Sequence, residues 1–353
     1  GRILLEMDDL AHEVRVPPST ARYVRSTLHT ADLSKRYNPS WKSRLTSNAD
    51  ADATRVIERF GQSFCWNKLH RTVEQLEPLR VQGDAPMDAA LEEVNPGPAD
   101  DVLRQLAAAK PGSKAWQLMQ SLTAVPVWLD WDLLALGQLV YLRYLPAASI
   151  VLFNMSLVGG FSAPKITKVL EQSGYLVGSP RAVMRRLLDT GRLLIDACAR
   201  GPDSMRPGGA GWAAAVRVRA LHAKVRRRLL LRGQAGGVGG TGGANTWDVQ
   251  QYGMPINQED MAVTLLAFSY NVLVGIEAIR GDPLREREQE AYLHLWRYLG
   301  HLLGVADEHN PCARGMPAAK AALESIVLHI LDPDPLSVPP RVAPPHAPPT
   351  RLP

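Results

Sequence analysis

The stretch Trp212–Arg232, WAAAVRVRALHAKVRRRLLLR, sets how the rest of the chain is read. At helical pitch Val218, Leu221, His222, Val225 and Leu229 share one face. Arg217, Arg219, Lys224, Arg226, Arg227 and Arg228 fall mostly on its flanks and on the opposite side. A histidine therefore sits inside the apolar stripe of an arginine-rich helix. Two readings follow. The commoner is a core histidine satisfied by hydrogen bonds, on a helix whose basic face is solvated. The sharper is an axial ligand, because a neutral imidazole aimed at the core offers the free ring nitrogen that a haem iron needs.

Composition bounds the problem. With 353 residues, 46% hydrophobic and 21% charged, the chain is globular and long enough for one large domain or two ordinary ones. The formal charge of +5 comes largely from local clusters and argues only weakly for nucleic acid or an anionic membrane. Cys65, Cys198 and Cys312 are odd in number and far apart. They show neither metal-ligand spacing nor a disulfide framework, and fit a reducing compartment. The sequence opens on Gly1 rather than Met, which reads as a processed or truncated N-terminus. No signal peptide or uninterrupted anchor is visible. The most apolar run, Tyr144–Phe161, approaches the length of a membrane span. Pro146 at its start and Gly159-Gly160 at its end read as ordinary caps of a buried core helix.

Taken in order, residues 1–60 form a polar, basic arm with helices expected near 1–14 and 50–60. Residues 61–122 carry short amphipathic pieces such as Met87–Val94 and Pro98–Ala109, broken by Asn95-Pro96-Gly97-Pro98 and Lys110-Pro111-Gly112. Strand-like alternation is nearly absent. From Val125 longer helices follow: one starting near Asp130 or Asp132, one with Ser162 as N-cap, and one running from Ser179-Pro180 to Gly201. After the histidine helix, Gly233–Gly243 is a glycine-rich linker. Its Gly237-Val-Gly239-Gly-Thr-Gly242 matches a dinucleotide fingerprint on paper only, since a helix, not a strand, precedes it. Further helices start at Asn257 and Arg285, and a last one stops at Pro333. Residues 333–353 are rich in proline and are expected to form an extended, disordered tail. The whole predicts an all-α protein whose single large domain spans 61–332.

One helix carries further chemistry. Arg186 and Thr190 stand at i and i+4, flanked by Val183, Leu187 and Leu194. An arginine on an apolar face must find an anion or a strong dipole. A salt bridge with Glu171 or Asp189 meets that need, and so does a polar cluster on the open side of a cofactor, with Glu171 as a proton acceptor. His294 and His301, on YLHLWRYLGHLLG, read as structural.

Six blocks then occur in a telling order: VWLDWDLLALGQLVYLRY, SLVGGFSAPKITKVLEQSGYL, RLLDT, RVRALHAKVRRRL, YGMPINQEDMAVTLLAFS and AYLHLWRYLGHLLGV. In this order they resemble the catalytic domain of the rubber oxygenases (latex-clearing proteins), shared with the endoplasmic-reticulum-bound oxygenase of mycophenolic acid biosynthesis. The resemblance is strongest over 120–310, and YGMPINQEDM and YLHLWRYLG look most like the fungal branch. It implies a globin-like helical core with one b-type haem, and His222 as the iron ligand. It also implies Glu171, Arg186 and Thr190 on the distal side. Arg219, Lys224 and Arg226 become candidates for pairing with haem propionates. Where rubber-cleaving relatives carry a lysine just before the threonine, this chain has Asp189, which removes a lysine-like closing ligand.

The implied function is haem-dependent oxidative cleavage of a C=C bond in an apolar, isoprenoid-like or polyprenyl substrate by molecular oxygen. A globin-like protein that binds or senses a gas is the alternative. Nucleic acid is not an expected partner, because VRRRLLLR is interleaved with leucines rather than aromatic platforms. Association with the endoplasmic-reticulum membrane, through a segment outside this sequence, is the expected location; secretion is the alternative.

Overall fold

The computed structural model describes residues 55–97, 100–174, 179–235 and 247–331. The predicted helix over 1–14, the glycine-rich fingerprint and the tail lie outside them. At the centre runs α10 (Ala210–Ala235), the longest helix, anchored where Trp212 Nε1 donates to Leu122 O at 3.1 Å. Before it come α1 (Val73–Arg80), α2 (Ala85–Val94), α3 (Val102–Ala107) and α4 (Lys114–Thr123). Next are α5 (Trp131–Arg143), α6 (Leu145–Val151), a π-helical segment Leu152–Leu157, and α7 (Val158–Phe161). Two more, α8 (Pro164–Ser173) and α9 (Pro180–Cys198), lead into α10. After it stand α11 (Val249–Tyr252), α12 (Gln258–Phe268), α13 (Tyr270–Arg280), α14 (Glu286–Leu303) and α15 (Gly315–Ile330). The all-α reading holds for everything that builds the core.

Caps explain most boundaries. Asp130 accepts from Asp132 N and Leu133 N to start α5, Ser179 accepts from Ala182 N for α9, and Asn257 accepts from Asp260 N for α12. The tightest crossing joins α5 to α14. There Gly137 lies so close to the Ala291 carbonyl that any Cβ would clash.

Four expectations are corrected. From residue 55, where the described part of the helix expected over 50–60 begins, the chain instead forms a hairpin, β1 (Arg55–Arg59) antiparallel to β2 (Gln62–Trp66). Phe60 (φ 54°) and Gly61 (φ 68°) make its two-residue turn, and Ile57 and Trp66 pack on Leu328 of α15. Ser162 closes α7 rather than capping α8, whose N-cap is Ala163. The helix expected from Asn257 to Ile279 breaks at Ser269 (ψ −82°), whose hydroxyl donates to Leu265 O at 2.7 Å. Finally, Tyr144–Phe161 is not uniformly buried. It buries Ala148, Val151 and Ser156 but leaves Phe153 51% exposed. Within its π turn Asn154 donates back to Ile150 O at 2.9 Å, and Ser156 donates to the distant Ala267 O at 2.5 Å. Among the described residues Gln258–Arg280 has the length and apolar composition to cross a membrane. Leu265, Leu266, Val272, Leu273 and Ile276 of that stretch lie in the core.

Candidate functional site

Helix α10 presents two different flanks. The deeply buried one carries Trp212, Val216, Arg219, Ala220, Ala223, Arg226 and Leu229. It is rotated from the stripe read off the sequence, for Leu221 is 42% exposed and His222 and Val225 are only half-buried. Two arginines enter the core because two carboxylates on α2 meet them there. Arg219 forks onto Asp84, Nε to Oδ2 at 2.6 Å and Nη2 to Oδ1 at 2.7 Å. Arg226 donates to Asp88 Oδ1 at 2.6 Å, Pro255 O at 3.1 Å and Ile256 O at 3.0 Å. Most of their donors are therefore spent within the protein, whereas Lys224 is not so committed. It lines an open groove of about 400 Å³ with Arg227, Arg228, Leu231 and Arg232.

His222 sits at the margin between the sealed flank and the open one. Its Nδ1 is buried with no hydrogen-bond partner. Burial, and then the Arg226 cation, push the imidazole down to about 4, while Asp84 acts in the opposite direction. The ring is thus neutral near pH 7, and its buried nitrogen has no hydrogen-bond partner within the described chain.

The other predicted residues lie on the helices beside it. Glu171, near the end of α8, is exposed and pairs with Lys168 at 3.0 Å. Its helix meets the C-terminal half of α10: Val169 packs on Leu229, and Arg228 Nη2 donates to Ser173 O at 3.0 Å. Arg186 lies 3.6 Å from Asp189, so the salt-bridge reading with Asp189 describes the contact seen. Thr190 Oγ1 donates to Arg186 O at 3.1 Å. Helix α9 meets α10 near the turn between them, where Gly211 abuts Asp196 and Ala197. From there Arg186 lies ten residues back and His222 eleven forward, each about 15–17 Å along its helix. From Arg181 to Leu193 no residue of α9 is buried, and Leu188 (66%) and Ile195 (53%) expose apolar surface.

His294 accepts from Asp130 N at 3.0 Å and stacks edge-on to Trp128, and His301 stacks on Tyr298. Their surroundings agree with the structural reading. Sequence reasoning missed Asp84 and Asp88, and also a buried ionic node around α12. In it Arg80 donates to Glu259 at 3.1 Å and Tyr252 O at 2.6 Å, and His329 bridges Glu259 (2.6 Å) and Glu77 (3.0 Å). Beside them burial pushes Asp260 up to about 6, against the pull of Arg80. The adjacent Glu259-Asp260 pair heading an apolar helix was the available signal.

The family model described as "ER-bound oxygenase mpaB/B'/Rubber oxygenase, catalytic domain" matches residues 141–350. A rubber oxygenase of Streptomyces sp. (strain K30) is 31% identical over 131 residues, 36% of this chain and 29% of that protein. The matched part is thus under a third of that relative's length. The solved structure of latex clearing protein LCP in the closed state superposes with a TM-score of 0.55 at 22% identity. That superposition covers 73% of this chain and 67% of the other, and it speaks to the fold alone.

Proposed function

This chain belongs to the mpaB/B'/rubber oxygenase catalytic-domain family, and from that premise we propose that it is a haem-dependent oxygenase cleaving a C=C bond of an apolar, isoprenoid-like substrate. The observation that carries the reading is the buried Nδ1 of the neutral His222, which has no hydrogen-bond partner within the described chain. These residues fit a b-type haem. His222 would hold the iron, and Leu188 and Ile195 would face its ring system or the substrate. Lys224 is the best placed of the three basic candidates for a propionate, because Arg219 and Arg226 are already committed to Asp84 and Asp88. When bound, the haem supplies oxygen binding and activation.

The chain's own residues do the rest. Glu171, next to Lys168, accepts a proton from an allylic carbon through a carboxylate oxygen. Arg186 and Thr190 order the same side of the site. Asp189 holds Arg186 and cannot replace the closing lysine, which favours a shorter isoprenoid over rubber. The fungal-type branch and attachment to the endoplasmic-reticulum membrane belong to this reading.

An absorption spectrum of the purified protein, before and after dithionite and carbon monoxide, tests the cofactor. His222→Ala is expected to purify folded with little haem; full occupancy and an unchanged spectrum would remove His222 as the ligand. Oxygen uptake with a saturating polyprenyl substrate tests the base. Glu171→Gln is expected to keep haem and lose most turnover, and near-normal rates would take Glu171 off the catalytic list.

A further inference from the structure

We infer that Asp84 and Asp88 of α2, outside the family-matched residues 141–350, are positioning residues that hold the His222 helix in register for its cofactor. The inference rests on the haem reading above. Arg219 precedes His222 by three residues and Arg226 follows it by four, so both lie roughly 40–60° around α10 to the same side of His222. Their partners Asp84 and Asp88 are i and i+4 on α2. The two ion pairs therefore fix α10 against α2 above and below the ligand, leaving His222 at the edge of the fixed face.

The surroundings make this more than two salt bridges. A Cβ on Gly304 would fall 2.5 Å from Asp84 Oδ2 and 2.8 Å from Arg219 Nε, and one on Gly83 would fall 3.0 Å from Arg226 Nε. Backbone from α14 and from the start of α2 closes over both pairs. The Pro255 and Ile256 carbonyls, ahead of α12, take the remaining Arg226 donors. Three separate elements thus converge on α10 within about one turn either side of His222. Removing one carboxylate leaves a buried arginine without its anion and loosens the seat of the helix.

The test uses the full chain titrated with hemin, reading affinity, Soret position and midpoint potential. Asp84→Asn should lower hemin affinity at least tenfold, move the Soret band and raise the potential, since the uncompensated Arg219 cation favours ferrous iron. Asp88→Asn should lower affinity at least threefold, because Arg226 keeps two carbonyl partners. Glu324→Gln breaks the remote His70–Glu324 pair (2.8 Å) and should leave all three readouts at wild-type values. Folded Asp84 and Asp88 variants with wild-type affinity, spectrum and potential would overturn the inference. So would a loss that merely follows melting temperature and appears equally in Glu324→Gln. If Asp84→Asn does not fold, the half-exposed Asp88 position decides alone by the same readouts. A wild-type chain that binds no hemin would instead overturn the haem reading itself.

Discussion

Helices α9 and α10 are neighbours of similar make-up, arginine-rich with an apolar stripe, yet their arginines meet opposite fates. On α10, Arg219 and Arg226 are buried, with carboxylates of α2 against them. On α9, Arg186 remains largely exposed beside Asp189, and the apolar residues around it face open space. The difference teaches that an arginine of this fold enters the core where a carboxylate of another element stands ready to meet it.

The contrast can be broken most severely on the scaffold side. Arg219→Leu leaves Asp84 buried without its cation and should cost about 3–5 kcal/mol in chemical denaturation; a loss under about 1 kcal/mol would show that the pair is solvated. Leu229, fully buried, comes next. Leu229→Ala should cost about 2–5 kcal/mol, read from the denaturation midpoint.

The third prediction concerns the neutral imidazole in haem-free protein. Between pH 6.5 and about 4 the unfolded chain binds a proton at His222 that the folded chain refuses, so stability falls as pH falls. Asp260, raised from 3.8 to about 6, does the reverse: the folded chain holds its proton longer, and stability falls as pH rises through that window. The two slopes oppose each other across roughly pH 4–6, each at most about 1.4 kcal/mol per pH unit. Asp260→Asn should therefore steepen the loss of melting temperature on acidification, and His222→Leu should flatten or invert it. Parallel curves for both variants and wild type would refute the buried neutral His222. Smallest of all, Leu188→Ala on the open face of α9 should move haem-free stability by no more than about 0.5 kcal/mol. A loss comparable with that of Leu229→Ala would mean that α9 is packed after all.

Much of this was legible beforehand, for reasons that lie in particular residues. Asp130, Ser179 and Asn257 cap helices wherever they stand, because a short side-chain oxygen satisfies orphan N–H groups locally. The hairpin was not legible. Its strands are five residues each and only half apolar, and Phe60-Gly61 replaces the usual Asn-Gly signal. Its stability comes from Leu328, more than 260 residues away in the chain. The break at Ser269 was equally hidden, since a serine at mid-helix does not by itself announce a change of backbone direction.

By itself the sequence determined the helical class, most caps, the order of the six family blocks and the identity of His222 as the histidine to watch. All of these depend on interactions within a few residues or on an ordered pattern of side chains. Only the tertiary structure decided which flank of α10 faces inward. Helical periodicity places Arg219 and Arg226 on a basic flank and marks them for solvent. The carboxylates of Asp84 and Asp88, more than 130 residues earlier in the chain, bring them into the core instead. Burying an arginine is unfavourable or tolerable according to whether an anion waits at the far end of its side chain. That condition is met by residues distant in sequence, so no local pattern could express it.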